Sequence, residues 1–331
     1  MKLAILGTGF IVKEGALRAL KEVPEIETVA IFALPRSKDK AEKLAQENSI
    51  PKVFTDYDEL LADPAIDFVY VGLTNSVHYE YTKRALLAGK NVIVEKPFAS
   101  TAAEVEELRD LALKKNFYVF EAVTLLYLPN FAAIKKELPK LGRIRAVTTN
   151  YSQYSSRYDK YLQGEVLPAF DPKLSGGALY DINIYNLNLI VGLFGAPVAV
   201  NYAANIGFNG IDTSGLLVLK YQDFFATALG AKDSDSPGFA IIQGEKGWIK
   251  IFGAPNELKC FELCLRRTGI TTKFELNRHE FRMVHEFKEF AKIYHAKDFD
   301  RVREGLEISL ATIQIAETAR KQAGIIFPCD E

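Results

Sequence analysis

Up to about Ala122 the sequence repeats one arrangement, a short apolar run rich in Val and Ile followed by an amphipathic stretch of helical period. Few folds accommodate that alternation. A strand with two apolar faces must be covered on both, and successive βα units do so by laying helices over each face of a parallel sheet. Strands are expected near residues 2–6, 28–33, 68–73, 91–95 and 118–122. Phe68-Val69-Tyr70-Val71 and Val92-Ile93-Val94 carry almost no polar group, as interior strands require. Between them His78 to Ala88 reads as a helix closed by Gly89. Thr101 and Glu104 have the spacing of a capping box, opening a helix to about Lys115 with Val105, Leu108, Leu111 and Ala112 on one face.

After Pro129 the pattern changes to a short helix and then β-rich segments such as 143–151, 213–221 and 224–231. Turn residues at 221–223, 244–247 and 268–269 separate strand-like runs, so a large, mostly antiparallel sheet is expected. A last helix covers about residues 303–323. The fold class is α/β, with residues 1–122 as one domain and 123–331 as a second, α+β domain whose last helix packs back on the first.

With 41 Lys plus Arg against 42 Asp plus Glu, the net charge of −1 leaves no footprint for nucleic acid or an anionic membrane. A small molecule is the expected partner. The apolar run before Gly7 is too short for a signal peptide, and no run approaches the ~18 apolar residues of a membrane span. Cys260, Cys264 and Cys329 form no CxxC and are an odd number, which favours reduced thiols in the cytoplasm. His78, His279, His285 and His295 show no zinc-ligand spacing, so no metal is expected.

Gly7-Thr8-Gly9-Phe10-Ile11-Val12 falls between the first strand and its helix. There Gly7 permits a tight turn and Gly9 lets the backbone approach a pyrophosphate at the helix N-terminus, the arrangement of a Rossmann dinucleotide-binding domain. Val12 stands at the usual third glycine, so the helix is expected slightly further from the strand. Cofactor choice is made after the second strand, where Ile31 to Lys38 holds no acid to bind an adenosine ribose. Arg36, Ser37 and Lys38 can instead pair with a phosphate, which favours NADP over NAD.

Asn91 to Pro97 ends a buried strand with Glu95 and Lys96 and then proline, which holds Lys96 extended. A lysine at the carboxyl edge of such a sheet can bind a substrate hydroxyl and, if desolvated, act in acid–base chemistry. Three segments in this order resemble the glucose–fructose oxidoreductase, inositol dehydrogenase and rhizopine-catabolism family, Gfo/Idh/MocA. They are Gly7-x-Gly9, the block from Thr74-Asn75-x-x-His78 to Glu95-Lys96-Pro97, and Gly176-Gly177-Ala178-Leu179-Tyr180-Asp181.

The resemblance implies an NAD(P)-dependent oxidoreductase acting on a sugar, polyol or dihydrodiol-like substrate. It implies cofactor contacts from Gly7, Thr8, Gly9, Phe10, Ile11, Arg36, Ser37, Thr74, Asn75, His78, Glu95 and Lys96, and homodimers or homotetramers formed through the second-domain sheet. Lys96 corresponds to the family's substrate-binding and acid–base lysine, Asp181 to its acidic residue, and Tyr185 stands where His is common. A phenol there can move the proton. Asp181 and Tyr185 lie one helical turn apart and can share a face. Asn183 replaces a usual Gly and Asn188 a usual Asp, which counts against an inositol-type assignment, and Leu126 replaces an often basic residue in the segment 121–129. Residues 152–158 form a dense hydrogen-bonding segment suited to a polyhydroxylated ligand, with Tyr154 and Arg157 as its candidate contacts. The family also includes non-catalytic dinucleotide-binding regulators, and retention of Lys96, Asp181 and Tyr185 separates the enzyme reading from that one.

If Arg36 clasps the 2′-phosphate, Arg36→Ala weakens NADP by about 1.5–3 kcal/mol and barely alters NAD. Titration of both cofactors checks this, and equal losses would refute it.

Overall fold

Six strands, β1 (Lys2–Leu6), β2 (Glu27–Phe32), β3 (Lys52–Phe54), β4 (Phe68–Val71), β5 (Asn91–Glu95) and β6 (Val119–Ala122), form a sheet in the order β3-β2-β1-β4-β5-β6. The computed structural model that shows this describes residues 1–330. Every pair in the sheet is parallel. All of β4 is buried, as the unbroken apolar run required. Of the six strands only β3 lies outside the sequence expectation, since three residues are too few to show a period.

The chain divides into two compact units, one of residues 1–122 with 281–309, the other of 123–280 with the chain from Leu310 onward. The first unit thus takes a segment that the division into 1–122 and 123–331 left in the second domain. The reason is a sheet face needing cover. Helix Met283–Ala296, not anticipated from sequence, sets Phe287 5.9 Å from Tyr70, Phe290 4.6 Å from Phe120 and Tyr294 5.1 Å from Phe68, measured between ring centres. Helix Phe299–Gln322 comes next, longer than expected at its start. The capping box at Thr101 and Glu104 forms as expected and opens helix Ala102–Lys115.

In the second unit, β7 (Ile144–Ser152), β8 (Ala199–Ile206), β9 (Asp212–Lys220), β10 (Phe225–Ala231), β11 (Phe239–Gly244), β12 (Gly247–Phe252), β13 (Cys260–Leu265) and β14 (Thr271–Phe274) form one sheet. Its order is β14-β13-β12-β11-β7-β10-β9-β8. All neighbours are antiparallel except β7 and β10, whose parallel pairing joins two antiparallel halves. On one face, β9 and β10 bury Leu217, Leu219, Ala226 and Ala228; on the other they expose Leu216, Val218, Phe225 and Leu229. Helix Ile184–Phe194 packs against β10 and β7. Arg320 is fully buried in this unit and grips Asp330 through two guanidinium nitrogens at 2.5 and 2.6 Å. Among the described residues no helix is long and apolar enough to cross a membrane.

Candidate functional site

In the first unit the candidate cofactor residues are scattered through the sequence but share one edge. Gly7 to Ile11 come after β1, Arg36 and Ser37 after β2, Thr74 to His78 after β4, and Glu95 and Lys96 at the end of β5. Because the strands are parallel, their carboxyl ends lie together, and the strand order reverses between β1 and β4, where open α/β sheets bind ligands. Gly7 has φ +106°, and a Cβ on it would lie 2.6 Å from the Gly72 carbonyl oxygen. Only glycine fits there. A Cβ on exposed Gly9 would meet nothing within 4 Å, so the backbone there is open to an approaching group. These features suit a dinucleotide pyrophosphate at the start of the helix.

Residues 11–16 of that helix form a wide π-helical segment before an α-turn at Leu17–Leu20, a departure from the regular helix expected. Buried Val12 points at Gly72, whose own Cβ would lie 2.7 Å from Val12 Cγ2. The space normally left by a third glycine in the turn is provided here by Gly72, which directly succeeds β4. Phe10 is 76% exposed, and Arg36 is exposed with no ion pair to any described residue. Both are available to a ligand.

His78 is fully buried, with Nδ1 2.8 Å from the Pro97 carbonyl oxygen and Nε2 3.1 Å from that of Leu73. Its ring ties the turn carrying Thr74 and Asn75 to the turn carrying Lys96, and burial holds its pKa below the usual histidine range. This is a bracing position beneath the edge. Glu95 is likewise buried and accepts a hydrogen bond from Tyr70 Oη at 2.5 Å. Burial raises its pKa. Lys96, by contrast, is half-buried at the edge itself. Next to β5, Glu121 near the end of β6 is buried and accepts from Ser309 Oγ at 2.6 Å. Burial pushes it up to about 7 against the lowering effect of that hydrogen bond. No sequence signal marked Ser309 as its partner.

In the second unit, every residue from Ser175 to Gly192 is buried except Asp181 and Tyr185. That is the shared face the spacing predicted, although Leu179–Asn183 is π-helical and only the continuation Ile184–Phe194 is α. The start of this helix is fastened by Asp212, whose carboxylate accepts from the Leu179 N–H at 2.6 Å and the Tyr202 hydroxyl at 2.7 Å. Asn183 donates to the Ala228 carbonyl at 3.1 Å, and Asn186 donates to that of Leu229 at 2.8 Å. Asn188 donates to the Ile184 carbonyl at 3.0 Å. Asn183 and Asn188, the two departures from the family pattern, are fully buried and bonded to backbone.

Tyr185 lies 5.9 Å from the Tyr151 ring, and Asp181 is ion-paired with buried Lys232, a residue the sequence reading missed. Nothing in the local sequence Ala231-Lys232-Asp233 distinguishes that lysine from a solvated one. Tyr154 is 40% exposed and donates to Asp159 at 2.6 Å, and Arg157 is exposed just before helix Tyr158–Leu162. Tyr154 and Arg157 therefore share a surface segment after β7.

Residues 1–122 match a family model described as oxidoreductase family, NAD-binding Rossmann fold, and residues 137–250 match the GFO/IDH/MocA C-terminal domain. The chain is 34% identical over 333 residues to scyllo-inositol 2-dehydrogenase (NADP(+)) IolU of Bacillus subtilis (strain 168), covering 100% of this chain and 99% of that protein. It is also 34% identical over 331 residues to YgjR of Escherichia coli (strain K12), an uncharacterized oxidoreductase, covering 100% of this chain and 98% of that one. Aldose-aldose oxidoreductase from Caulobacter crescentus has the same fold, with a TM-score of 0.84 at 22% identity over 98% of this chain and 97% of that one.

Glu121 yields a pH prediction. Its folded pKa of about 7 exceeds the ordinary 4.5, so its contribution to stability is complete below about 4.5 and lost as pH rises through about 7. Glu121→Gln removes that loss, and its stability relative to the parent should rise over the same window by up to about 3 kcal/mol. Urea denaturation at about pH 5 and about pH 8 measures it; a constant difference would show that Glu121 does not titrate there.

Proposed function

The chain belongs to the Gfo/Idh/MocA oxidoreductase family, and from that premise we propose that it transfers a hydride between NADP and a hydroxyl-bearing carbon of a sugar, polyol or dihydrodiol-like substrate. NAD is the second cofactor on this reading. The observation that carries the proposal is the pair Asp181 and Tyr185, the two non-buried residues in an otherwise buried run from Ser175 to Gly192. A helix that buries its asparagines and leaves a carboxylate and a phenol accessible offers a substrate acceptor and proton-transfer groups. A non-catalytic dinucleotide sensor has no need of that pair together with Lys96.

The nicotinamide, when bound, supplies or accepts the hydride. The other tasks fall to side chains. Lys96 donates to the substrate oxygen, Asp181 accepts from a neighbouring hydroxyl, and Tyr185 gives or takes the proton that accompanies carbonyl–alcohol interconversion. Tyr154 and Arg157 add hydrogen bonds to a polyhydroxylated ligand. Arg36 and Ser37 serve the 2′-phosphate, Gly7 to Ile11 the pyrophosphate, and Thr74 and Asn75 the nicotinamide half, with His78 and Glu95 supporting their turns from beneath. Residues 1–122 thus serve the cofactor and supply Lys96 to the substrate, whose other contacts come from the second unit. Cyclic polyols belong in the substrate class, given the name of the Bacillus relative.

The exposed Leu216, Val218, Phe225 and Leu229 favour association of copies through that sheet face as dimers or tetramers. Sedimentation equilibrium of Val218→Glu tests this, an unchanged mass counting against it.

A panel of sugars, inositols and dihydrodiols with both cofactors, monitored by nicotinamide absorbance, tests the activity. On the substrate so found, Lys96→Met should abolish turnover and leave cofactor affinity within about a few-fold, because Lys96 serves the substrate and nicotinamide end. Tyr185→Phe should slow single-turnover hydride transfer by about 10²–10⁴-fold, with little effect on folding. An unchanged single-turnover rate would leave Tyr185 as a binding residue and Lys96 as the proton donor.

A further inference from the structure

Lys232 directly succeeds β10, and its side chain is only 3% exposed. Its Nζ donates to the Asp181 carboxylate and, at 3.1 Å, to the Ala169 carbonyl oxygen. The same nitrogen lies 4.6 Å from the centre of the Phe170 ring. Its backbone carbonyl accepts from the Ser155 N–H at 2.9 Å, while Gln153 N–H donates to Ala231 at 2.9 Å. Those bonds carry the β7–β10 pairing into the segment that holds Tyr154 and Arg157. A single residue therefore touches Asp181, that segment and the turn around Phe170.

Burying an ammonium group is costly unless it is paired and hydrogen-bonded, and an apolar side chain would fill the same space without that cost. Packing alone does not call for a lysine here. Of the nearby carboxylates, Asp212 is engaged by Leu179 N–H and the Tyr202 hydroxyl, whereas Lys232 bonds directly to the half-exposed Asp181.

We propose that Lys232 is a positioning residue for the reaction: its ammonium group orients the Asp181 carboxylate and fastens it to the segments carrying Tyr154, Arg157 and Phe170. The proposal rests on the assignment of Asp181 to the substrate site made above. An ionised carboxylate accepts a substrate hydroxyl's hydrogen more strongly than its protonated form does, and an adjoining ammonium favours the ionised form. Fixing the carboxylate and the Tyr154–Arg157 segment to one anchor also gives a polyhydroxylated substrate a preset spacing between two contact points.

The test compares Lys232→Met, Lys232→Arg and the double variant Lys232→Met/Asp181→Asn with the parent. Lys232→Met should shift the acid limb of kcat/KM upward by about one to three pH units, whereas Lys232→Arg should keep the parent limb. In thermal melts the double variant should recover part of the loss seen in Lys232→Met, because no carboxylate is left without its partner. An unmoved acid limb, or melting losses that simply add, overturns the proposal. Should Lys232→Met fail to fold, recovery of folding in the double variant supports the pairing and continued failure overturns it. An inactive parent on the whole panel would count against hydride transfer, while the melting comparison, which needs no substrate, still decides the link between Lys232 and Asp181.

Discussion

An all-parallel sheet sets every strand's carboxyl end on the same edge, and the first unit depends on that constraint. Once β1, β2, β4 and β5 must be buried on both faces, the turns at their carboxyl ends fall along one line: a glycine turn, a basic turn, the Thr74–His78 turn and Lys96. The edge is then stiffened from below. His78 connects the backbones of two turns, and Glu95 is held by Tyr70, so the accessible groups stand on a layer whose polar atoms are engaged with the protein. Burial biases His78 and Glu95 toward their uncharged forms, which suits a bracing role better than contact with a charged ligand.

The second unit solves a different problem. Its candidate side chains lie on a helix pressed onto a sheet, where an apolar interface alone would allow rotation about the helix axis. Buried polar groups fix the angle. Asp212 takes the N-terminal Leu179 N–H, while Asn183 and Asn186 bond to strand carbonyls whose geometry admits little drift. Gly230 makes the close approach possible, since a Cβ there would lie 2.5 Å from Asn183 Cβ. Asp181 and Tyr185 face outward because the asparagines face inward. The family departure at 183 is thus part of how this helix is seated, whereas Asn188 bonds within its own helix, to the Ile184 carbonyl.

Sequence reasoning reached the elements whose signal is local and periodic. The apolar strands, the capping box at Thr101, the glycine turn and the one-turn spacing of Asp181 and Tyr185 were all legible, because each depends on residues within a few positions of one another. The features that escaped it depend on pairing at long range. Helix Met283–Ala296 belongs with the first unit because of aromatic contacts to strands far earlier in the chain, and Ser309 and Lys232 acquire their roles from Glu121 and Asp181. The π-helical turns at 11–16 and 179–183 were also invisible, for widening a helix alters its backbone bonding without altering its apolar pattern. The hydrogen-bonding character of the segment holding Tyr154 and Arg157 could be read from composition, but not its anchor at Lys232.

The interlock at Gly72 has a consequence for how such domains are recognised and altered. Its missing side chain makes room for Val12, yet it is also crowded by Tyr70 Cε1, 2.8 Å from where its Cβ would stand, and by the Leu6 carbonyl oxygen at 3.2 Å. Trimming Val12 would therefore not free position 72 to vary, whereas any enlargement at 72 would collide with β1, β4 and the first helix at once. The requirement for space runs in one direction, from the strand end to the turn. A pattern confined to the turn scores this chain as one glycine short, while the space that glycine normally leaves is held in reserve at the end of another strand, where a turn-based pattern does not look.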